Sequence, residues 1–242
     1  MIAVRDLYKS YGPQEVLRGI DLDVKKGGIL VILGESGSGK SVLLRHLVGL
    51  ERPDRGSIMF GDKDLAQLSE ARLLKLRKDI GYLFQEGALY DFLTVAENVG
   101  FPLSEHTRMT RAQIKEKVAG LLEMVGLSQA GDKFPSELSG GMNKRAALAR
   151  SVVLDSQVLL CDEPTSGLDP IKSREISDLI QRISRHIGSA TVITSHDMNN
   201  ALRIADQVVL IKNGEIVCRG TPQDIRDSRN AFVQEFLQGQ AV

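Results

Sequence analysis

The chain has 242 residues, 42% of them hydrophobic, enough to bury the core of one large domain or two small ones. Its 31 Lys and Arg balance 31 Asp and Glu, so no global field recruits nucleic acid or anionic lipid. No apolar run reaches the roughly 18 residues that a spanning helix needs, and Met1 to Asp6 lacks the basic start and apolar region of a signal peptide. Cys161 and Cys218 fall in predicted strands and read as free thiols in a reducing compartment. The chain is therefore expected in the cytosol.

In chain order, Ala3 to Lys9 and Glu15 to Val24 alternate like antiparallel strands around a Tyr11-Gly12-Pro13 turn. Ile29 to Leu33 reads as a buried strand, and Ser41 to Leu50 as a helix. Between them, Gly34 to Ser41 reads Gly-Glu-Ser-Gly-Ser-Gly-Lys-Ser and fits the phosphate-loop pattern in the strand-to-helix context it requires. Its glycines let successive backbone N–H groups turn toward phosphate oxygens, and the helix N-terminus adds positive potential. The candidate phosphate-binding residues are Gly34, Glu35, Ser36, Gly37, Ser38, Gly39, Lys40, Ser41 and Val42. Lys40 would reach the β- and γ-phosphates, and the Ser41 hydroxyl would ligate Mg²⁺.

A turn at Pro53–Gly56, a strand at Ser57–Phe60, a helix at Ser69–Lys78 and a strand at Ile80–Phe84 follow, ending at Gln85. The pattern then becomes helical. Thr94 and Glu97 form one capping box, and Thr110 and Gln113 another. Ile114, Val118, Leu121, Leu122 and Val125 keep one face until Gly126 stops the second helix. A third helix runs from about Ser139 to Val153. Leu89, Tyr90, Phe92 and Leu93 are apolar for a loop and fit either a partner-docking surface or the core.

Alternating elements resume with a strand at Val158–Cys161, a helix at Pro170–Ile187 and a strand at Ala190–Thr194. Asn213-Gly214 turns a hairpin of Gln207–Ile211 and Glu215–Arg219. Thr221 and Pro222 open another helix. Phe232, Val233, Phe236 and Leu237 share a last helical face, for packing on the domain or on a second copy. The alternation implies a mainly parallel sheet covered by helices, with ligands at the strands' carboxyl ends.

The strand at Val158 delivers two carboxylates, Asp162 and Glu163, to that edge. Asp162 is placed to hold Mg²⁺. Glu163 is placed to polarise a water as general base, for about 10²–10⁴-fold acceleration. Leu138-Ser139-Gly140-Gly141-Met142 puts a capping serine and two glycines at another helix N-terminus, a second anion site.

The order of these elements resembles the ATP-binding subunit of ABC transporters, and the resemblance covers essentially the whole chain. It runs from the phosphate loop through Gln85, Leu-Ser-Gly-Gly, Asp162-Glu163 and Ser166-Gly-Leu-Asp169 to His196. It implies that Tyr11 stacks on adenine. Gln85 touches Mg²⁺ and senses a membrane partner, His196 holds the γ-phosphate, and Asp169 belongs to a dimer-crossing loop. It implies a head-to-tail homodimer in which Ser139 and Gly141 of one copy close over ATP held by Lys40 of the other.

Met142 stands where the family's signature usually has Gln. With its neighbours, with Phe84 to Tyr90 and Asn98 to His106, and with Val42 after Ser41, it resembles the Mla/Mce-type ATPases of lipid transport at the bacterial cell envelope. The fold expected is therefore an α/β P-loop NTPase of the ABC nucleotide-binding type. A single domain spans 1–242, with an antiparallel β subdomain, a β/α core at 1–85 and 155–242, and an inserted helical subdomain at 86–154. Expected ligands are ATP and Mg²⁺. Expected partners are a second copy, integral membrane permease subunits and a lipid-binding envelope protein, at the cytoplasmic face of the inner membrane. The alternative is a non-transporting ABC ATPase that regulates a membrane partner such as a cell-division complex. Nucleic acid is disfavoured, because the chain has no long coiled coil, second cassette or net basic charge.

Overall fold

The structure, a computed structural model, describes residues 2–239. β1 (Ile2–Tyr11) and β2 (Gln14–Val24) pair antiparallel around Gly12, whose positive φ of 58° closes the turn. With β4 (Arg55–Phe60) and β5 (Lys63–Asp64) they form a four-stranded sheet in the order β2-β1-β4-β5. The second sheet has six strands: β3 (Ile29–Leu33), β6 (Ile80–Leu83), β7 (Val158–Asp162), β8 (Ala190–Ser195), β9 (Gln207–Lys212) and β10 (Glu215–Gly220). Their order is β10-β9-β3-β8-β7-β6, parallel except for the β9–β10 hairpin.

The parallel strands are buried on both faces, so they read as continuous apolar runs. Alternation still decides where each side chain goes. Leu30 and Ile32 of β3, with Val158 and Leu160 of β7, face the antiparallel sheet. The helices α1 (Lys40–Leu47) and α2 (Glu70–Leu76) share that core through Leu43, Leu44, Leu47 and Leu73. Val31, Leu33, Leu159 and Cys161 face the other way. They meet α5 (Gly140–Val152) through Ala146 to Ala149, and α6 (Pro170–Ile187) through Ile176, Leu179, Ile180 and Ile183.

Residues 95–152 contain α3 (Val95–His106), α4 (Arg111–Met124) and α5, and no strand. Both predicted capping boxes form at Thr94 and Thr110, and Gly126 ends the α4 segment at φ 71°. Asp169 accepts the N–H groups of Ile171 and Lys172 to start α6, Pro170 occupies its first position, and Gly188 ends it. Then come α7 (Met198–Ile204), α8 (Pro222–Arg226) and α9 (Ala231–Gly239). Val233 is buried, and Phe232, Phe236 and Leu237 pack on the core of their own chain. Cys161 and Cys218 are free thiols, the first fully buried and the second half-buried.

Several boundaries move by a residue or more from expectation, β1 running Ile2–Tyr11 and β4 starting at Arg55 among them, and three of the shifts have a local cause. The helix expected over Ser41–Leu50 spans Lys40–Leu47, because Gly49 turns left-handed at φ 67°. The helix expected over Ser69–Lys78 tightens into a 3₁₀ turn at Arg77–Asp79. The strand expected to reach Phe84 ends at Leu83, the last residue paired with β7.

His46 on α1 is fully buried and donates through Nδ1 to the Val42 carbonyl at 2.8 Å. Burial pulls its pKa below the ordinary 6.5. The unfolded chain therefore takes the proton first, so this contribution to stability is full above about pH 6.5 and is lost as pH falls below it. His46→Leu, which cannot take that proton, should show a smaller drop in Tm between about pH 7 and pH 5 than the parent. Equal drops in circular-dichroism melts would show that His46 does not carry the effect.

Candidate functional site

The parallel strands β3, β7 and β8 end together at one edge, and each end delivers chemistry. After Leu33 the chain turns at Gly34, where an added Cβ would lie 2.4 Å from the Ile211 carbonyl oxygen, so only glycine fits. Gly39 takes φ 101° directly before α1, against Val16. No side chain caps α1, which leaves its first N–H groups available to an anion. Lys40 is only 6% exposed. Its ammonium donates to the carbonyls of Gly34 and Glu35 at 2.8 and 3.0 Å and pairs with Glu163 at 3.3 Å. The buried Ser38 hydroxyl has no hydrogen bond among the described residues.

Asp162, the last residue of β7, accepts from the Ser41 hydroxyl at 2.9 Å and from the Thr194 hydroxyl at 2.8 Å. Tyr82 on the neighbouring β6 reaches its other oxygen at 3.4 Å. Burial first, and the Asp162 charge second, push the Tyr82 pKa up, so the phenol stays a neutral donor. Glu163 turns into the left-handed region, φ 43°, while its N–H bonds to Thr194 Oγ1 at 3.0 Å. Its carboxylate bridges Lys40 and His196, whose Nδ1 is 2.8 Å away. The two adjacent carboxylates thus serve different neighbours, as the sequence suggests.

A cleft of about 410 Å³ brings Ser36, Gly37, Gly39, Lys40, Ser41, Val42, Gln85, Glu163 and His196 together, with Arg45 and Ser166 beside them. Tyr11 stands apart from this lining at the end of β1, 45% exposed as a residue, with its hydroxyl donating to Glu51. Partial burial and then this hydrogen bond push the Tyr11 pKa up to about 12. Glu51 also pairs with Arg45 at 3.2 Å, so one carboxylate steadies two side chains near the cleft.

Ser139, Gly140, Gly141 and Asp169 lie elsewhere. Ser139 caps α5 through the Met142 N–H at 3.4 Å. Ser139, Gly141, Met142 and Lys172 line a separate cavity of about 370 Å³. A Cβ on Gly140 or Gly141 would meet only Leu168 at 3.6 Å or Lys172 at 3.7 Å, ordinary contacts. Packing within the chain therefore does not demand either glycine. A larger groove of about 980 Å³ between α3 and α4 holds none of these residues.

The apolar loop after Gln85 divides. Leu89 packs on the core, while Tyr90 and Phe92 are 40% and 76% exposed. Tyr90 packs at a tilt against Phe92 and edge-to-face against Phe101, with ring centroids 5.7 and 5.1 Å apart. Sequence reasoning missed Tyr82, Thr194 and Glu51. Each reaches the site from another strand or loop, and no local motif marks it.

The sequence pattern of the ABC transporter family matches residues 17–166. The chain is 40% identical over 241 residues to mkl of Mycobacterium leprae, an ATP-binding protein named for ribonucleotide transport, covering all of this chain and 70% of that one. It is 39% identical over 241 residues to the intermembrane phospholipid transport system ATP-binding protein MlaF of Haemophilus influenzae, covering all of this chain and 91% of MlaF. A dimeric ATP-binding cassette solved in a post-hydrolysis state with ADP and Pi matches with TM-score 0.85 and 30% identity, over 92% of this chain and 99% of that one. With the fold and cleft described above, these matches show that the chain belongs to the ABC transporter family, as an ATP-binding subunit that hydrolyses ATP.

Proposed function

We propose that the Lys40 cleft holds the phosphates of ATP and that Glu163 is the general base of hydrolysis. The observation that carries this reading is the convergence of Lys40, Glu163 and His196 at 2.8 to 3.3 Å beside an uncapped helix N-terminus. Lys40 and the backbone of Gly34 to Val42 bind phosphate. Glu163 takes a proton from the attacking water, and His196, already bonded to Glu163, faces the γ-phosphate. The exposed ring of Tyr11 takes the adenine. Ser41, Asp162 and Gln85 fit Mg²⁺, since all offer the oxygen donors a hard cation prefers, and two of them already meet at 2.9 Å. The ion would neutralise charge on the transferring phosphoryl group.

Ser139, Gly140, Gly141 and Asp169 act on the second copy of a head-to-tail dimer. The spare room at Gly140 and Gly141 supports this reading, because their small size serves something outside their own chain. Residues 86–154 form a helical subdomain set into a core of 1–85 and 155–242. The exposed Tyr90 and Phe92 suit docking of permease subunits. Among the described residues no helix is long and apolar enough to cross a membrane. The subunit acts from the cytoplasmic face of the inner membrane, held there by its permease.

The cargo is phospholipid, moved at a bacterial cell envelope with a lipid-binding envelope protein as further partner. The match to MlaF supports this choice over the ribonucleotide named for mkl, since it extends over 91% of MlaF against 70% of mkl.

Glu163→Gln keeps size and hydrogen bonding but removes the base, so turnover should fall by about 10²-fold or more while ATP binding survives. The variant should accumulate as an ATP-bound dimer in light scattering. Unchanged turnover would remove Glu163 from this role.

Ser139→Arg should stop hydrolysis in the homodimer yet leave nucleotide binding to each chain intact, as read by fluorescent-nucleotide titration. Normal turnover would overturn the composite site.

The complex purified from membranes should carry phospholipid by mass spectrometry, and deletion of the gene should weaken the outer-membrane barrier to detergent. A lipid-free complex and an intact envelope would favour regulation of a membrane partner instead.

A further inference from the structure

The loop that follows β6 is held by α5. The Lys144 ammonium donates to the carbonyl of Gln85. The Arg150 guanidinium donates to the carbonyls of Gly87 and Ala88 at 2.8 and 2.6 Å. Two cations of one helix thus take three carbonyls of one short loop. Gly87, at φ 77°, lies so close to α5 that a Cβ would sit 2.5 Å from Asn143 Oδ1 and 3.3 Å from the Ala147 methyl. Ala88 is also left-handed, at φ 53°. The loop is therefore bent onto the helix and pinned there.

Lys144 is only 7% exposed. Burial pulls its pKa down, opposed by the charges of Glu86 and Glu163. A buried ammonium spent on a backbone carbonyl is a costly way to fill space, and an uncharged side chain would pack with less desolvation. Packing alone does not account for it. Lys144 also lies little more than one turn from Ser139, the cap of the same helix. A shift of the α5 N-terminus must therefore move the point to which Gln85 is tied.

We propose that Lys144 is a positioning residue for Gln85: it ties the residue after β6 to α5, so that the Gln85 side chain stands in the ATP cleft only when α5 is seated. Arg150 keeps the remainder of the loop fixed. This rests on the reading that Gln85 acts in that cleft.

The test is a double-mutant cycle on ATP hydrolysis by the full chain. Lys144→Met should lower kcat by about 10-fold and leave the KM for ATP within about two-fold, because it misplaces a group without removing phosphate contacts. Lys144→Arg, which keeps a cationic donor, should restore most of the rate. In a Gln85→Ala background, Lys144→Met should cost less than about two-fold, since no side chain remains to be placed. Should the methionine variant not fold by its melting curve, Lys144→Gln carries the same cycle. An equal loss of kcat in both backgrounds would overturn the inference. So would a normal kcat in Lys144→Met beside a slowed Gln85→Ala. A normal kcat in Gln85→Ala would overturn the role of Gln85 itself, and the tie with it.

Discussion

The register of four neighbouring parallel strands governs this molecule. Leu33 of β3 pairs with Ser195 of β8, Thr194 with Asp162 of β7, and Cys161 with Leu83 of β6. These strands end within a residue or two of one another, so Gly34, His196, Glu163 and Gln85 leave the sheet along one edge. A slip of one residue in β7 would turn Asp162 away from Ser41 and Thr194 and carry Leu159 and Cys161 to the wrong core, because strand side chains alternate with period two. The two apolar cores, one on each face, therefore fix the register of these strand ends as a by-product of burial.

That edge concentrates charge where water is scarce, and the chain answers by pairing it internally. Lys40 is satisfied by two loop carbonyls and by Glu163, and Glu163 by Lys40 and His196. Asp162 is satisfied by three hydroxyls, those of Ser41, Thr194 and Tyr82. Removing any one partner leaves a poorly solvated charge, which costs more than the pair itself contributes. On the proposed reading an incoming phosphate competes for Lys40 and so releases the Glu163 carboxylate from its cation. The base is then free to turn to water only when there is phosphate to attack.

Features set by contiguous residues were legible in the sequence. The strand, glycine loop and helix around Gly34–Ser41, both threonine capping boxes, the Asp169–Pro170 start of α6 and the Asn213-Gly214 hairpin all appear as read, since each depends on backbone demands within a few residues. Features set by distant neighbours were not. Thr194 and Tyr82 meet Asp162 only through sheet register, and Glu51 meets Tyr11 with β2, β3 and α1 between them in the chain. Lys144 reads as one more basic residue on a helix until its ammonium is seen against the Gln85 carbonyl. The ambiguity of the Leu89–Leu93 stretch was real in the same sense. Leu89 and Phe92 are both strongly apolar, and only the path of the chain sends Leu89 inward and Phe92 outward.

The two helix starts proposed to meet phosphate are built by the same rule, and they line separate cavities. One is an uncapped helix start behind glycines that the fold demands, Gly34 and Gly39. The other is a helix start capped by its own Ser139, behind glycines that the fold does not demand, Gly140 and Gly141. The first is closed in by its own chain, with Ile211 and Val16 at its back, and opens on the cleft. The second faces outward over Lys172. A cap hydrogen bond as long as 3.4 Å is weak, so Ser139 gives up little when its hydroxyl turns to a better acceptor. Such a surface gains most when the acceptor arrives on another molecule already carrying it. On the proposed reading, head-to-tail pairing supplies that acceptor twice by symmetry and makes the phosphate part of the interface.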